Sequence, residues 1–276
     1  MRLSRAASFF DRLVCRDAYG TTTFKAQLNL FDDSTRDGLG SVRRVLSTAP
    51  EVAIPARRAI ATDGKVWLVG ESHPDYFTDG MIRNRYTLHQ ADGLAAVLTF
   101  SEAIGEAVGH PAYAARAWTK AAKQIEVSSE LFNAYDIFLA STESLPSPCI
   151  IRFDESLYIA QDPYLTEGGF LAAHGVHLPD ALATVTVKKR TYQPVTDTWN
   201  EISAAVPALR MRWQEHFRYF ARYSTTYAPG DQQILVRKAD VPAIDADDIL
   251  LVGAQAYAVV TAYDEGDVWS LHGRPA

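Results

Sequence analysis

Apolar and polar residues alternate along most of the chain, with the period of two that is typical of half-buried β-strands. Turn residues such as Asp63-Gly64 and Pro229-Gly230 separate the alternating segments. The segments that predict strands are 21–31, 52–60, 65–70, 83–89, 131–139, 149–153, 156–160, 170–173, 183–188, 233–236, 249–252, 256–261 and 267–271. The chain is therefore predicted to be mainly β.

Three other segments have apolar residues three or four positions apart, the spacing of an amphipathic helix. They are residues 1–20, with Leu13 and Val14; the Ala-rich residues 98–122, with Ile104, Val108, Tyr113 and Trp118; and residues 198–223, interrupted at Pro207. The expected fold class is mainly β with packed helices, in two or three small β-barrel or sandwich units. The expected domains are a β-barrel-like domain with an N-terminal helix (1–97), a helical joint (98–128), a second β unit (129–197), and a helix plus a C-terminal β-barrel-like unit (198–276).

Similar spacings recur in three β regions, which indicates a repeated unit. Trp67–Gly70 and Leu250–Gly253 are each followed, 19 positions after the glycine, by the histidine that ends Tyr86–His89 or Trp269–His272. A middle copy aligns Ile150, Tyr158 and Tyr164 with Ile249, Tyr257 and Tyr263, and residues 170–175 with residues 268–273 after a one-residue gap. The alternative is a set of unrelated hairpins that match by chance.

Composition and charge exclude several classes of protein. The 276 residues are 47% apolar, which is enough for a folded core. The formal charge of −6 provides no general positive field for nucleic acid, although an acidic wall would let DNA slide past without sticking. Cys15 and Cys149 have neither disulfide-framework nor zinc-site spacing. We expect no signal peptide and no membrane helix, and hence synthesis in the cytoplasm.

Residues that could carry chemistry are present, but not in the arrangements that chemistry requires. Ser72, His73 and Asp75 lie within the contiguous segment Ser72-His73-Pro74-Asp75, unlike a triad assembled from separate segments. A hydrolase is therefore the least favoured hypothesis. His174 and His177, with Asp180 nearby, are interpreted as loop residues and not as metal ligands. Carboxylate pairs such as Asp154-Glu155 and Asp264-Glu265, and the group Asp245, Asp247 and Asp248, lie in predicted turns, where Asp caps backbone donors. No catalytic, metal-binding or cofactor-binding residue is predicted, and no cofactor.

Aromatic and basic residues offer two further interpretations. Tyr76, Phe77, Tyr164 and Tyr192 are interpreted as core residues or as anchors of a protein interface. Trp67, Tyr76 and Trp118 would form the sugar platform of a tail-fibre or carbohydrate-binding module, which is the alternative function. Lys188-Lys189-Arg190 ends a strand and is either solvated or paired with an acidic neighbour.

The units of apolar strand, tight turn, Tyr-containing strand, acidic loop and Trp-x-Leu strand resemble the small β-barrels of tailed-bacteriophage head-tail connectors. Residues 247–259 and 266–271 carry the resemblance, and residues 64–70 do so less firmly. It implies a non-enzymatic virion subunit of the adaptor, stopper, tail-completion or nozzle type. Such a subunit forms a ring with copies of itself, contacts portal, adaptor or tail proteins, and surrounds the passing genome DNA.

Overall fold

The computed structural model describes residues 13–30, 43–55, 58–77, 80–118, 134–139, 145–146, 148–166, 169–212, 227–246 and 248–276. Their strands form three closed six-stranded barrels. Barrel 1 comprises β1 Leu13–Asp17, β2 Thr23–Leu30, β3 Arg43–Thr48, β4 Ala59–Thr62, β5 Lys65–Phe77 and β6 Gly80–Gln90. Barrel 2 comprises β7 Gly93–Leu98, β8 His110–Trp118, β9 Ala134–Leu139, β10 Cys149–Phe153, β11 Ser156–Leu165 and β12 Leu171–His177. Barrel 3 comprises β13 Leu182–Gln193, β14 Thr198–Arg212, β15 Gln232–Arg237, β16 Ile249–Val252, β17 Gln255–Glu265 and β18 Val268–Pro275.

All three barrels have the same strand order. Around each ring the strands follow the order first, second, third, sixth, fifth, fourth, and every neighbouring pair is antiparallel. Closing each sheet into a ring pairs both edges of every strand with a neighbour, which removes the exposed edges of an open sheet. The prediction of β-barrels is confirmed.

The hairpin between the fourth and fifth strands is equivalent in the three barrels. Its two-residue turns are Asp63-Gly64, Asp154-Glu155 and Gly253-Ala254, and the first residue of each turn has a positive φ of 53°, 46° and 60°, respectively. Such backbone angles fit two-residue turns to the right-handed twist of the strands. The third residue after each turn is a buried aromatic that lies directly opposite a buried aliphatic residue. These pairs are Trp67 with Ile60, Tyr158 with Ile151, and Tyr257 with Leu250.

A backbone hydrogen bond after the sixth strand repeats in the same way. In each barrel the first residue beyond that strand donates its N–H to the carbonyl oxygen one position before the buried aromatic. The three bonds are Ala91 to Val66 (3.0 Å), Leu178 to Leu157 (2.8 Å) and Ala276 to Ala256 (3.0 Å). The barrels are therefore structural repeats at the level of individual residues.

This register supports one of the two sequence alignments and corrects the other. Tyr158 and Tyr257 occupy the same position of the fifth strand, as the alignment of the middle and last copies requires. Trp67–Gly70 instead lies in a fifth strand, whereas Leu250–Val252 is a fourth strand. The residues that correspond to Leu250–Val252 in barrel 1 are Ile60–Thr62.

The predicted packed helices are wrong. Leu13–Asp17 is β1, and residues 1–12 of the predicted N-terminal helix lie outside the described residues. Residues 98–122 contain the only helix of the described chain, α1 Phe100–Ile104, followed by strand β8. Thr198–Arg212 is β14, and residues 213–226 lie outside the described part. Strand pairing explains the difference: β8 is paired on both sides and β14 is paired with β13 along its whole length, so tertiary contacts override the local helical spacing.

The short helix α1 forms because its first turn is capped. Thr99 accepts a hydrogen bond from the Glu102 N–H (3.2 Å), and the Glu102 carboxylate accepts one from the Thr99 N–H (2.7 Å). Phe100, Ala103 and Ile104 are buried. Within the described residues, no helix has the length and hydropathy needed to cross a membrane.

Candidate functional site

Barrels 1 and 2 meet through an apolar interface. Ala59 and Leu68 of barrel 1 pack with Ala115, Phe170 and Ala172 of barrel 2. At its edge the Tyr113 N–H donates to the Tyr19 hydroxyl (2.6 Å), and the rings of His89 and Phe170 meet edge to face at 6.0 Å. Gly169 permits a close approach: it has a φ of +72°, and a Cβ there would lie 2.7 Å from Cβ of Glu71.

Barrels 2 and 3 meet through a second apolar interface, which includes α1. Leu98, Phe100, Ala103, Ile104, Ile150, Leu157, Ile159 and Leu178 pack against Ala181, Leu209, Met211, Leu235 and Val268. The guanidinium of Arg152 donates to the carbonyl oxygens of Ala107 (2.5 Å) and Val108 (3.2 Å), which fixes the connection between α1 and β8. Barrel 2 is thus held on two sides by buried apolar surface.

Both interfaces use the same pair of barrel faces. The face formed by the fourth and fifth strands of a barrel is called the 4–5 face. It comprises Ala59, Val66 and Leu68 in barrel 1 and Ile150, Leu157 and Ile159 in barrel 2. The 4–5 face of one barrel contacts a face of the following barrel that lies mainly on its second and sixth strands. This second face is called the 2–6 face. It comprises Tyr113, Ala115, Phe170 and Ala172 in barrel 2 and Leu209, Met211 and Val268 in barrel 3.

Barrel 3 contains a cluster in which the buried carboxylate of Asp231 contacts buried His272 and exposed Arg274. The Asp231 carboxylate accepts hydrogen bonds from His272 Nε2 (2.7 Å), from Arg274 Nη2 (3.2 Å) and from the Ala228 N–H (2.8 Å). Burial opposes ionisation of Asp231, but the hydrogen bonds from Arg274, Ala228 and His272 outweigh it and lower the pKa of Asp231 below its ordinary value. The cluster ties the segment before β15 to the last strand.

A chain of neutral hydrogen bonds adjoins this cluster. The Tyr227 hydroxyl donates to Gln233 Oε1 (2.7 Å), and Gln233 Nε2 donates to Ser270 Oγ (2.5 Å). The rings of Tyr227 and His272 lie 4.2 Å apart. Tyr227 also packs against the interface of barrels 2 and 3, so the polar residues connect that interface to the end of the chain.

This cluster is arranged for structure and not for catalysis. Ser270, His272 and Asp231 are the residue types of a hydrolytic triad, but all three are buried and Ser270 Oγ accepts its bond from Gln233. A substrate could not reach these groups without local opening. Sequence reasoning missed the cluster because Asp231 and His272 are 41 positions apart. The available signals were a histidine in an apolar strand and an aspartate directly after the Pro229-Gly230 turn.

The contiguous residues Ser72, His73 and Asp75 lie along β5 and do not converge. Successive strand residues point to opposite faces, which separates the side chains of Ser72 and His73. Ser72 Oγ bonds to Asn84 Oδ1 (3.3 Å), and Asp75 pairs with Arg83 (2.5 Å) and Arg85 (2.8 Å). The hydrogen bond from Arg83 is the main cause of the lowered pKa of Asp75.

The predicted loop residues His174 and His177 instead lie in strand β12, and Asp264-Glu265, predicted as a turn, end strand β17. Asp248 Oδ2 accepts a hydrogen bond from the Asp245 N–H (2.8 Å), and Asp247 lies outside the described residues. Burial lowers the pKa of His177, with a smaller opposing effect of Asp180, and the His177 ring lies 5.3 Å from that of Tyr158. The side chain of His174 is not among those described. No group of three potential metal ligands occurs within the described residues.

The aromatic residues of the predicted sugar platform differ in exposure. Trp67 is 1% exposed inside barrel 1, whereas Tyr76 is 69% exposed; the side chain of Trp118 is not described. Tyr164 packs at the interface of barrels 1 and 2, and the side chains of Phe77 and Tyr192 are not described. Among the basic residues that end the predicted strand, Lys189 pairs with Asp245 (3.1 Å), and the side chain of Arg190 is not described.

Two hairpins extend beyond their barrels as arms. The β13–β14 ladder continues to Gln193 opposite Thr198, but β13 pairs with β16 only over residues 185–188 and β14 pairs with β15 only over residues 208–212. Ile202 in this arm is 68% exposed. The β5–β6 hairpin likewise continues to Phe77 opposite Gly80, beyond the residues 84–89 that pair with β3. Two-stranded ribbons are marginally stable alone, so such arms gain most from contact with a partner.

Comparison with protein families, with curated proteins and with solved structures finds no match to this chain.

Proposed function

We propose that the chain is a non-enzymatic structural subunit of a protein assembly, specifically a ring-forming subunit of a bacteriophage head-to-tail connector or nozzle. The observation that carries the proposal has two parts. Apolar interfaces join the three barrels, and two arms project from those barrels. A subunit of this kind requires a rigid body, lateral contacts and segments that dock to neighbours. It requires no catalytic group.

The connector assignment rests further on the resemblance of the hairpin units and on charge. The formal charge of −6 is compatible with a conduit along which DNA passes without being bound. Portal, adaptor or tail proteins are the proposed partners, together with copies of the chain itself. The virion is the proposed location.

The alternative of a sugar-binding module is not proposed. A sugar platform needs exposed aromatic faces, and Trp67 is enclosed in barrel 1. Of the two platform residues whose side chains the structure describes, only Tyr76 is exposed.

Particles produced from the genome that encodes the chain test the proposal. We expect mass spectrometry to detect the chain in purified virions, and cryo-electron microscopy to place it in a ring at the neck or tail. The absence of the chain from the particles, together with a monomeric state in the presence of the purified portal and tail proteins, would refute the proposed function.

A shortened arm provides a matched variant. Lys189 lies opposite Ile202, so replacement of residues 190–201 by Asn-Gly closes the hairpin with a two-residue turn and keeps its register. We expect this variant to fold but to be incorporated poorly into virions. Wild-type incorporation would show that the β13–β14 arm is not an assembly contact.

A further inference from the structure

Barrel 3 has a 4–5 face equivalent to those that barrels 1 and 2 use for docking. In the two filled interfaces, Ala59 lies opposite Leu68 and Ile150 lies opposite Ile159, and all four side chains are fully buried. The same register in barrel 3 places Ile249 opposite Ala258. Ala256 takes the position of Val66 and Leu157, as the shared backbone hydrogen bond after the sixth strand shows.

The barrel 3 face keeps an apolar composition although it is not enclosed as the other two are. Ile249, Leu251, Ala256 and Ala258 are only half-buried, and the adjacent Val260 is 37% exposed. Outward positions on a solvent-facing sheet are commonly polar, so a patch of neighbouring apolar residues on two paired strands indicates a contact surface.

The arm of barrel 3 arises where the other barrels contact their successors. The connection between the first and second strands supplies Ala18 and Tyr19 to the first interface, and α1 with Ala107 to the second. In barrel 3 this connection is the β13–β14 arm. A domain that docked on the 4–5 face would therefore lie beside the arm.

Barrel 1 of a second copy does not fit this face. In barrel 2, Tyr113 of the 2–6 face lies opposite Leu94, the second residue of β7. The residue in the same position of barrel 1 is Lys25, which lies opposite Val14, the second residue of β1. Counted back from the last residues of β12 and β6, Phe170 of barrel 2 corresponds to Arg83 of barrel 1, and Ala172 corresponds to Arg85. The 2–6 face of barrel 1 thus carries charged and polar side chains, with Arg83 and Arg85 both paired with Asp75.

We propose that the 4–5 face of barrel 3 docks a small β-barrel of another protein chain, one whose 2–6 face is apolar like those of barrels 2 and 3. Ile249, Ala256 and Ala258 would form the contact, with the β13–β14 arm at its side. The inference rests on the proposed function, since it names the surface through which the subunit joins a neighbour of a different kind.

A single introduced thiol tests the face, because Cys15 and Cys149 are buried and remain unreactive. Ala258→Cys places a thiol on the face, and Ala254→Cys places one on the exposed turn of the same barrel as a control. The probes are the purified proteins encoded beside the gene for this chain, each mixed in turn with the unlabelled cysteine variant before maleimide is added. We expect one of them to slow maleimide labelling of Ala258→Cys by about tenfold or more and to leave Ala254→Cys unchanged.

The outcomes are separable. If no neighbouring protein slows labelling of Ala258→Cys, or if both variants are slowed equally, the face is not the docking surface. If labelling of Ala258→Cys slows with increasing concentration of the pure chain, the occupant is a second copy and the proposal is wrong. Detection of the chain in virions is independent of these results, so the proposed function can stand while this inference fails.

Charge variants give a second measurement. Ala256→Arg and Ala258→Glu introduce charge on the face, with Ala254→Arg as the control, and circular dichroism verifies folding. We expect the two face variants to weaken binding of the protecting protein by about tenfold or more and the control to bind normally. Unchanged binding by both folded face variants would overturn the proposal.

Discussion

His272 Nε2 lies 2.7 Å from Asp231 Oδ2, and neither side chain has access to solvent. This contact joins the last strand of the chain to the segment that precedes β15. Arg274, whose side chain is 46% exposed, pairs with the same Asp231 carboxylate from the same strand. The stability of barrel 3 should therefore depend on one buried carboxylate.

Asp231→Asn is expected to destabilise barrel 3 by about 2–4 kcal/mol, because it removes the buried carboxylate that accepts hydrogen bonds from His272 and Arg274. Equilibrium unfolding in urea measures the change. Asp267→Asn, in the exposed turn before β18, is the control and should change stability by less than about 0.5 kcal/mol. Equal stabilities of the two variants would contradict the structural role of the cluster.

The same carboxylate predicts a pH dependence. Because the pKa of Asp231 in the folded protein is lower than its ordinary value of 3.8, the unfolded chain binds the proton more tightly. Its contribution is thus complete above the ordinary pKa and is lost as pH falls through 3.8 toward the folded value. Wild type should begin to lose its advantage over Asp231→Asn as pH falls below about 5, with most of the loss below pH 3.8, in urea titrations. A stability difference that stays constant down to pH 3 would show that Asp231 is not preferentially ionised in the folded state.

The alternation of side chains was sufficient to predict mainly β units but left barrel and sandwich as alternatives, because a strand buried on one face leaves that pattern directly in the sequence. Tyr158 and Tyr257 could be aligned from sequence because each occupies the same position relative to a two-residue turn. Trp67 was misaligned because similar apolar segments occur in the fourth and fifth strands. The register that distinguishes them depends on pairing between strands, which no local pattern contains.

The helical spacing in residues 198–212 was misleading because both faces of β14 become apolar where it contacts barrel 2. Val206 and Ala208 face the interior of barrel 3, whereas Leu209 and Met211 face barrel 2. A strand buried on both sides loses strict alternation and imitates the spacing of a helix. The docking faces were missed for the same reason, since they appear only when two barrels are placed together.

Gly169→Ala tests the interface of barrels 1 and 2. Gly169 and Gly64 have nearly the same positive φ, +72° and +70°, but a Cβ at Gly64 meets nothing within 4 Å whereas one at Gly169 meets Glu71. Gly64→Ala should therefore cost about 1 kcal/mol from backbone strain alone, and Gly169→Ala about 2–4 kcal/mol from strain and overlap. Urea unfolding of the two variants measures the difference. If both cost the same, the close approach at Gly169 is relieved without loss and does not hold the two barrels together.

Cys15 and Cys149 offer separate reports on barrels 1 and 2. Burial raises the pKa of Cys15 to about 11 and that of Cys149 to about 12, so neither thiol forms a reactive thiolate at neutral pH in the folded protein. We expect a thiol reagent to label them only upon unfolding, and at a common rate, because the apolar interface couples the two barrels. Peptide mapping of labelled samples along a urea series gives the rate at each cysteine. Labelling of Cys15 well before Cys149 in the wild type would show that barrel 1 unfolds alone, whereas separation of the rates only in Gly169→Ala would locate the coupling at that interface.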